Sequence, residues 1–237
     1  LSQEEIINDM YAGVISHSYY RSPTLTGTYS TVKTRPSIVV VEDGSGTNAI
    51  GNRLRALGYN VTVNTALTTY NQVVNYDIVV FDQYVWAVTK NAMAKDCYDN
   101  GKGVLTAVND TTTGLYPILA ISSAYTGADT LTTVGYAAHP IRNGWTTFTG
   151  GEGNNWYPTS LVAGAWPVAN VAASPSYIGI FALGGTGKGR WVHIQDCYGN
   201  ASDDTAMIEI INWLSKGFTN AYKAIDTFDG YADDFDD

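Results

Sequence analysis

Two unbroken apolar runs, rich in β-branched residues, constrain the fold of this chain more than any other feature. The first is SIVVVEDG at residues 37–44, and the second is YDIVVFDQ at residues 76–83. A strand with one solvated face alternates apolar and polar residues, whereas a strand covered on both faces reads as a continuous apolar run. We therefore predict strands that are buried on both sides, as in a parallel sheet between two layers of helices.

Helical patterns separate the predicted strands. Residues 48–57 place apolar side chains at helical intervals before Gly58, and residues 89–98 form a second such pattern. A β-α-β-α order indicates a parallel sheet with right-handed crossovers. The predicted fold is an α/β, three-layer, flavodoxin-like sandwich with a mainly parallel central sheet. Its predicted sheet strands include residues 38–42, 77–81, 104–108 and 190–195, and a closing helix at 206–214 should turn Ile208, Ile211 and Leu214 towards the sheet.

Both ends of the chain depart from this alternation. Residues 1–35 are rich in Ser, Thr and Tyr, and residues 217–237 end in the acidic, aromatic string FDGYADDFDD. We predict a core domain at 36–216 with an N-terminal arm and a C-terminal tail. Within the core, the Gly-rich and aromatic residues 115–176 indicate an inserted loop region or short antiparallel strands. Because the sequence starts at Leu1, we expect a processed chain or part of a longer one.

Charge and hydropathy disfavour two classes of partner. The formal net charge is −9, and no cluster of Lys and Arg offsets it locally, so we expect no binding to nucleic acid. No apolar run approaches the roughly 20 residues that a membrane-spanning helix needs, so we expect no membrane span.

Five motifs follow one another in the core domain: YDIVVFDQ, NGKGVLTAVND, AAHPIRNG, GKGRWVHIQD and IINWLSKG. In this order they resemble the class I glutamine amidotransferase-like superfamily, especially its trehalose-utilisation-like branch, over residues 37–216. The resemblance implies a flavodoxin-like fold whose site lies at the carboxyl ends of the strands.

The catalytic residues of that superfamily are not matched. Its reaction needs a nucleophilic cysteine on a tight elbow after the GKG strand, and a His-Glu pair later in the chain. Here the elbow reads VNDTTTG, which puts Asn109 or Asp110 in place of the thiol, and neither forms a thioester. His139 is followed by Pro140 rather than by Glu. The resemblance implies the fold and not the reaction, so we expect no catalytic residue.

Three places could bind a ligand. In the loop EDGSGTN, the residues Gly44, Ser45, Gly46 and Thr47 precede a helix, where backbone N–H groups cradle anions such as the phosphate of a flavin or nucleotide. Adjacent acidic residues oppose that reading, and a tight turn with an N-cap is favoured. Asn109 at the elbow and His139 are the other two candidates.

We expect no cofactor and no metal ion. The acidic residues of the segment 233–237 lack the spacing of a Ca²⁺ loop. Cys97 and Cys197 are expected at opposite ends of the sheet layer, which disfavours a disulfide. His193 should share a strand face with Trp191 and act as a hydrogen-bonded packing residue.

Three functions are consistent with these observations. The favoured one is a non-catalytic structural or interaction module whose terminal arms dock on other copies or on another structural protein, in an extracellular or virion-surface assembly. The second is a carbohydrate-binding or carbohydrate-acting protein, and the third is a flavin- or nucleotide-binding domain. The aromatic residues expected in loops that would suit a carbohydrate are Trp86, Trp145, Trp156 and Tyr157.

Overall fold

The computed structural model describes the greater part of the predicted core domain. Its described residues are 35–42, 49–85, 88–110, 120–124, 130–133, 139–149, 156–184, 187–195 and 204–215. The predicted loop site at Gly44–Thr47, the predicted tail at 217–237, and all of the predicted arm before Arg35 lie outside these residues.

Strands and helices alternate in the first half of the described chain, as the sequence predicts. This half comprises β1 (Ser37–Glu42), α1 (Ala49–Ala56), β2 (Asn60–Asn64), β3 (Ile78–Val85), α2 (Val88–Asp99) and β4 (Gly103–Asp110). Strands dominate the second half, which comprises β5 (Ala120–Ala124), β6 (Thr130–Thr132), β7 (Thr147–Thr149), β8 (Trp156–Leu161), β9 (Ala165–Val171), β10 (Ser174–Gly184), β11 (Arg190–Ile194) and α3 (Asp204–Leu214).

One nine-stranded sheet contains all four of the strand segments predicted to share a sheet. Its order is β2-β1-β3-β4-β11-β10-β9-β6-β7, and a separate pair is formed by β5 and β8. The first five strands are mutually parallel. Their order, 2-1-3-4-5 with β11 as the fifth strand, is that of flavodoxin-like folds.

The prediction that the sheet is mainly parallel is wrong. Four of the described strand pairings are parallel, and five are antiparallel. The antiparallel part is built from residues 120–184 together with β11. There, β6 and β7 are three residues long, and register shifts interrupt the pairing of β9 with β10. Such short or bulged strands do not display the alternation that identifies a strand from sequence.

Alternate residues of the buried strands face two different helical layers. On β1, Ile38 and Val40 pack in one cluster with apolar residues of α1 and α3. Val39 and Val41 pack in a second cluster with residues of α2. All four side chains are fully buried, and burial of each stabilises the fold by about 1.5–3 kcal/mol. The three-layer arrangement and the burial of β1 on both faces are therefore as predicted.

Helix α1 ends at the glycine that the sequence marks as its stop. Gly58 has a φ of 82°, in the left-handed region that glycine adopts without steric cost. Its N–H donates to the carbonyl of Arg55, and the N–H of Tyr59 reaches back to the carbonyl of Leu54 at 3.0 Å. These bonds satisfy carbonyls that a helix end leaves unpaired.

Helix α3 presents a different face to the core from the predicted one. Ile208 is 36% exposed, whereas Met207 and Ile210 are fully buried, as is Ile211. Positions 207, 210, 211 and 214 recur at helical spacing and form one stripe. Because Ile208 lies about 100° around the helix from Met207, it falls outside that stripe. Within the described part of the chain, no helix is both long and apolar enough to cross a membrane.

Candidate functional site

The carboxyl ends of β1 and β3 mark the point where the strand order reverses, which is where open α/β sheets bind ligands. Glu42 ends β1, is buried, and lies opposite Asp82 of β3 in the ladder. Oδ2 of Asp82 lies 3.5 Å from the backbone nitrogen of Ile50 and accepts its hydrogen bond in the first turn of α1. A side-chain carboxylate thus already complements the positive end of the α1 dipole.

A buried polar network lies near the carboxyl edge on the α2 face of the sheet. Nε1 of Trp191 donates to Oγ1 of Thr106 at 3.0 Å, and Oγ1 of Thr106 lies 2.8 Å from Nδ1 of His193. Nε2 of His193 lies 2.9 Å from Oε1 of Gln195. Because the amide oxygen only accepts, His193 carries its proton on Nε2 and accepts the Thr106 hydroxyl proton at Nδ1.

Burial keeps the His193 ring neutral. It lowers the pKa of His193 to about 4, although the hydrogen bond to Gln195 acts in the opposite direction. The ring also packs against Phe181, with centroids 4.7 Å apart. Since both nitrogens are engaged and the side chain is buried, His193 is a hydrogen-bonded packing residue, as predicted.

The elbow region and the one described thiol offer no nucleophile in the expected place. Strand β4 remains paired with β3 as far as Val85 and Asp110, so Asn109 lies within a strand. Cys97 lies in α2, where it is fully buried in the cluster between α2 and the sheet. Burial raises the pKa of its thiol to about 12, which keeps it protonated and inert. Cys197 lies outside the described residues.

His139 lies away from these residues, near the amino ends of the parallel strands. Its ring is 5.2 Å from that of Trp213, near the end of α3, and the guanidinium of Arg190 lies 5.1 Å from the Trp213 ring. Arg190 is the first residue of β11. Nδ1 of His139 accepts a hydrogen bond from the N–H of Ile141 at 3.3 Å, which leaves the proton on Nε2.

An exposed indole lies beside His139. Trp166 is 46% exposed, and its ring is 5.9 Å from that of His139. Gly184 lies next to both tryptophans, because a Cβ atom there would be 3.5 Å from Trp213 and 3.7 Å from Trp166. We call His139, Trp166, Gly184, Arg190 and Trp213 the tryptophan cluster.

Positive charge surrounds the tryptophan cluster. The pKa of His139 is lowered to about 4, first by burial and then by the charges of Arg142 and Arg190. The guanidinium of Arg190 donates to the carbonyl oxygen of Trp213 at 2.5 Å, and it forms no ion pair with any described residue. The cluster therefore presents a neutral imidazole and an uncompensated cation on a chain whose net charge is −9.

The aromatic residues expected to form a carbohydrate surface do not do so where they are described. Trp145 is buried, and its Nε1 donates to the carbonyl of Ile141 at 2.5 Å. Tyr157 is buried in β8, and Trp86 lies outside the described residues. The sequence analysis missed Trp166, which no pattern marks, because Pro167 and the shifted register of β9 interrupt the alternation of that strand.

The predicted sites are not brought together by the fold. Asn109 belongs to β4, next to β3, whereas His139 belongs to the tryptophan cluster beside the start of β11. Among the described residues, no group of three or more His, Cys, Asp and Glu side chains is placed to hold a metal ion.

Solved structures with this strand arrangement include proteins of very different sequence. A protein described as ThuA-like from Bacteroides uniformis has a TM-score of 0.52 and 8% identity, over 81% of this chain and 95% of its own. The N-terminal domain of mmIFT52 gives 0.56 and 12%, over 75% and 96%. A GMP synthase-type protein from Thermoplasma acidophilum gives 0.55 and 15%, over 81% and 97%. The fold is glutamine amidotransferase-like.

At these identities the likeness shows the glutamine amidotransferase-like fold alone. No protein-family model matches the sequence, and no curated protein matches it. The resemblance inferred from the five motifs is thus confirmed for the fold, while the branch of the superfamily and the loss of the catalytic cysteine stay predictions.

Proposed function

We propose that this chain is a non-catalytic interaction module built on the glutamine amidotransferase-like fold. The observation that carries the proposal is the state of the groups that would perform catalysis. The Cys97 thiol is buried with its pKa raised to about 12, and both ring nitrogens of His193 are engaged by Thr106 and Gln195. Neither group offers the exposed nucleophile and available base that covalent catalysis needs. The likeness to the mmIFT52 N-terminal domain, whose name states no enzyme activity, is in keeping with such a use of the fold.

The arms supply the contacts of the proposed module. Residues 1–35 and 217–237 would dock on other copies of the chain or on another structural protein, in an extracellular or virion-surface assembly. The support is compositional, because aromatic side chains favour burial and these segments hold many of them. They are Tyr19, Tyr20, Tyr29, Phe218, Tyr222, Phe228, Tyr231 and Phe235.

Thiol chemistry and turnover assays test the absence of catalysis. In a Cys197→Ser background, Cys97 should react with a thiol reagent only after the chain is unfolded in urea. A panel of amide and ester substrates should show no turnover by the full chain above the buffer rate. Turnover that disappears on Cys97→Ser, Cys197→Ser or Asn109→Ala would contradict the proposal.

Carbohydrate binding is the second candidate, and the exposed indole of Trp166 beside His139 favours it. The resemblance to the trehalose-utilisation-like branch and the ThuA-like neighbour support the same reading. A glycan array probed with the full chain tests it, with Trp166→Ala as the variant that should lose binding and Ile208→Ala as a control at another exposed apolar residue. An array with no signal above background would contradict this candidate.

Flavin or nucleotide binding at residues 43–48 is less favoured. The carboxylates of Glu42 and Asp82 lie at the strand ends beside this loop, and that of Asp82 already accepts a hydrogen bond from the first turn of α1. Like charges there would repel a phosphate.

A further inference from the structure

We propose that the tryptophan cluster binds an acidic saccharide, that is, a sugar unit bearing a carboxylate. The inference deepens the carbohydrate-binding function proposed above and rests on it. It places the site near the amino ends of the parallel strands, away from the carboxyl edge where ligands of this fold class generally bind.

The exposed indole supplies the surface for the sugar ring. A tryptophan with nearly half of its surface in solvent is unusual within a paired strand, since aromatic side chains gain most from burial. The apolar C–H face of a pyranose ring is flat and of a size to cover an indole. Gly184, beside both tryptophans, adds no side chain that would fill the space next to them.

Arg190 supplies the charge that selects an acidic sugar. Its guanidinium is held at two points, over the Trp213 ring and on the Trp213 carbonyl. No described carboxylate pairs with it. A planar guanidinium that is partly removed from water and lacks a counter-ion recognises a carboxylate through paired hydrogen bonds.

His139 supplies a directed hydrogen-bond donor. The Ile141 N–H holds Nδ1, so the proton lies on Nε2, and contacts with Trp166 and Trp213 restrict the ring. An ordered neutral imidazole can donate to a ring or hydroxyl oxygen without a second positive charge. The cluster thus combines a stacking surface, one cation and one neutral donor.

The size of the apolar surface favours a sugar over an acidic segment of a partner protein. Among the described residues, Val74 and Ile208 are the only other large apolar side chains that are exposed. A stable protein interface buries about 800 Å² per partner around an apolar centre. One exposed indole beside a single guanidinium is a footprint for one or two sugar units.

Calorimetric titration of the full chain tests the proposal. The probes are short oligosaccharides that contain glucuronate, galacturonate or N-acetylneuraminate, each paired with its methyl ester, together with an Asp- and Glu-rich peptide. At least one acidic sugar should bind at least ten-fold more tightly than its ester, and added salt should weaken that binding. Trp166→Ala should abolish binding, Arg190→Lys should reduce it at least five-fold, and Gly184→Val should reduce it by filling the gap.

Matched variants separate the outcomes. Arg53→Gln removes an arginine elsewhere and should leave binding unchanged, and circular dichroism of every variant shows whether it is folded. If Arg190→Lys does not fold, the comparison of acid with ester still decides the charge. Equal, Trp166-dependent binding of acid and ester would overturn the acidic assignment while carbohydrate binding stands. Binding of no sugar, or of the acidic peptide alone, would overturn both.

Discussion

Nδ1 of His193 and Oγ1 of Thr106 lie 2.8 Å apart, and this hydrogen bond joins β11 to β4 across 87 positions of sequence. The Thr106 oxygen also accepts the indole proton of Trp191. One hydroxyl therefore satisfies two buried ring nitrogens at once.

Replacing Thr106 with Val should destabilise the fold without changing its size. Valine keeps the branched shape but leaves two buried polar atoms without a partner, at a cost of about 1–3 kcal/mol each. The free energy of unfolding measured in urea should fall by about 2–4 kcal/mol. Thr106→Ser is the control, because it retains the hydroxyl and should lose less. An unchanged free energy in Thr106→Val would show that the network contributes nothing.

Stability should fall as the pH is lowered from about 6.5 to about 4. Burial lowers the pKa of both His193 and His139 from 6.5 to about 4. In that window the unfolded chain binds protons that the folded chain does not, so the folded state loses free energy relative to the unfolded state as the pH drops. The contribution of His193 is at most about 3 kcal/mol, and partial exposure makes that of His139 smaller.

Urea unfolding at pH 7.5, 6.5, 5.5 and 4.5 measures this dependence. The variant His193→Gln should flatten the slope between pH 6.5 and 4.5, and His139→Gln should flatten it less. A slope that is identical in the native chain and in His193→Gln would refute the assignment to that residue.

Gly189 and Gly187 should respond very differently to alanine. A Cβ atom at Gly189 would lie 2.0 Å from the carbonyl oxygen of Lys102, which is backbone and cannot move aside as a side chain would. The same site bonds to the carbonyl of Tyr98, so Gly189→Ala should cost about 3 kcal/mol or more. Gly187 has open space and a φ of 77°, so Gly187→Ala should cost about 1–2 kcal/mol. Thermal unfolding of both variants compares them, and equal losses would contradict the expectation.

The terminal arms should govern assembly and not folding. A chain trimmed to residues 36–216 should keep the circular dichroism spectrum of an α/β protein while failing to form the assemblies of the full chain. Ordering a flexible arm costs conformational entropy, but a few docked aromatic side chains contribute several kcal/mol at about 25 cal/mol per Å². Light scattering of both forms is the measurement. Equal assembly, or unfolding of the trimmed chain, would show that the arms have another role.

The parallel half of the sheet was predictable because its signal is local. The run at residues 37–42 is buried on both faces, and each of its residues shows this without reference to any other part of the chain. The antiparallel half was not, because β6 and β7 are too short to display a period.

The candidate site was predicted only through His139. Its neighbours Trp166 and Arg190 are set by the pairing of β9, β10 and β11, and that pairing cannot be read from any single segment. For the same reason Trp145, which was expected in a loop, proved to be a core residue: its burial depends on the distant elements that cover it.

The late position of β11 in the chain also bears on how the protein is made. Strands β1 to β4 and their two helices are complete by residue 110, whereas β11, which pairs with the outer side of β4, begins at residue 190. During synthesis at about 5–20 residues per second, β4 is an unpaired and apolar edge for several seconds. Such an edge is open to pairing with other nascent chains. The step at which β11 closes it, through contacts of long sequence separation, is where we expect folding yield to be decided.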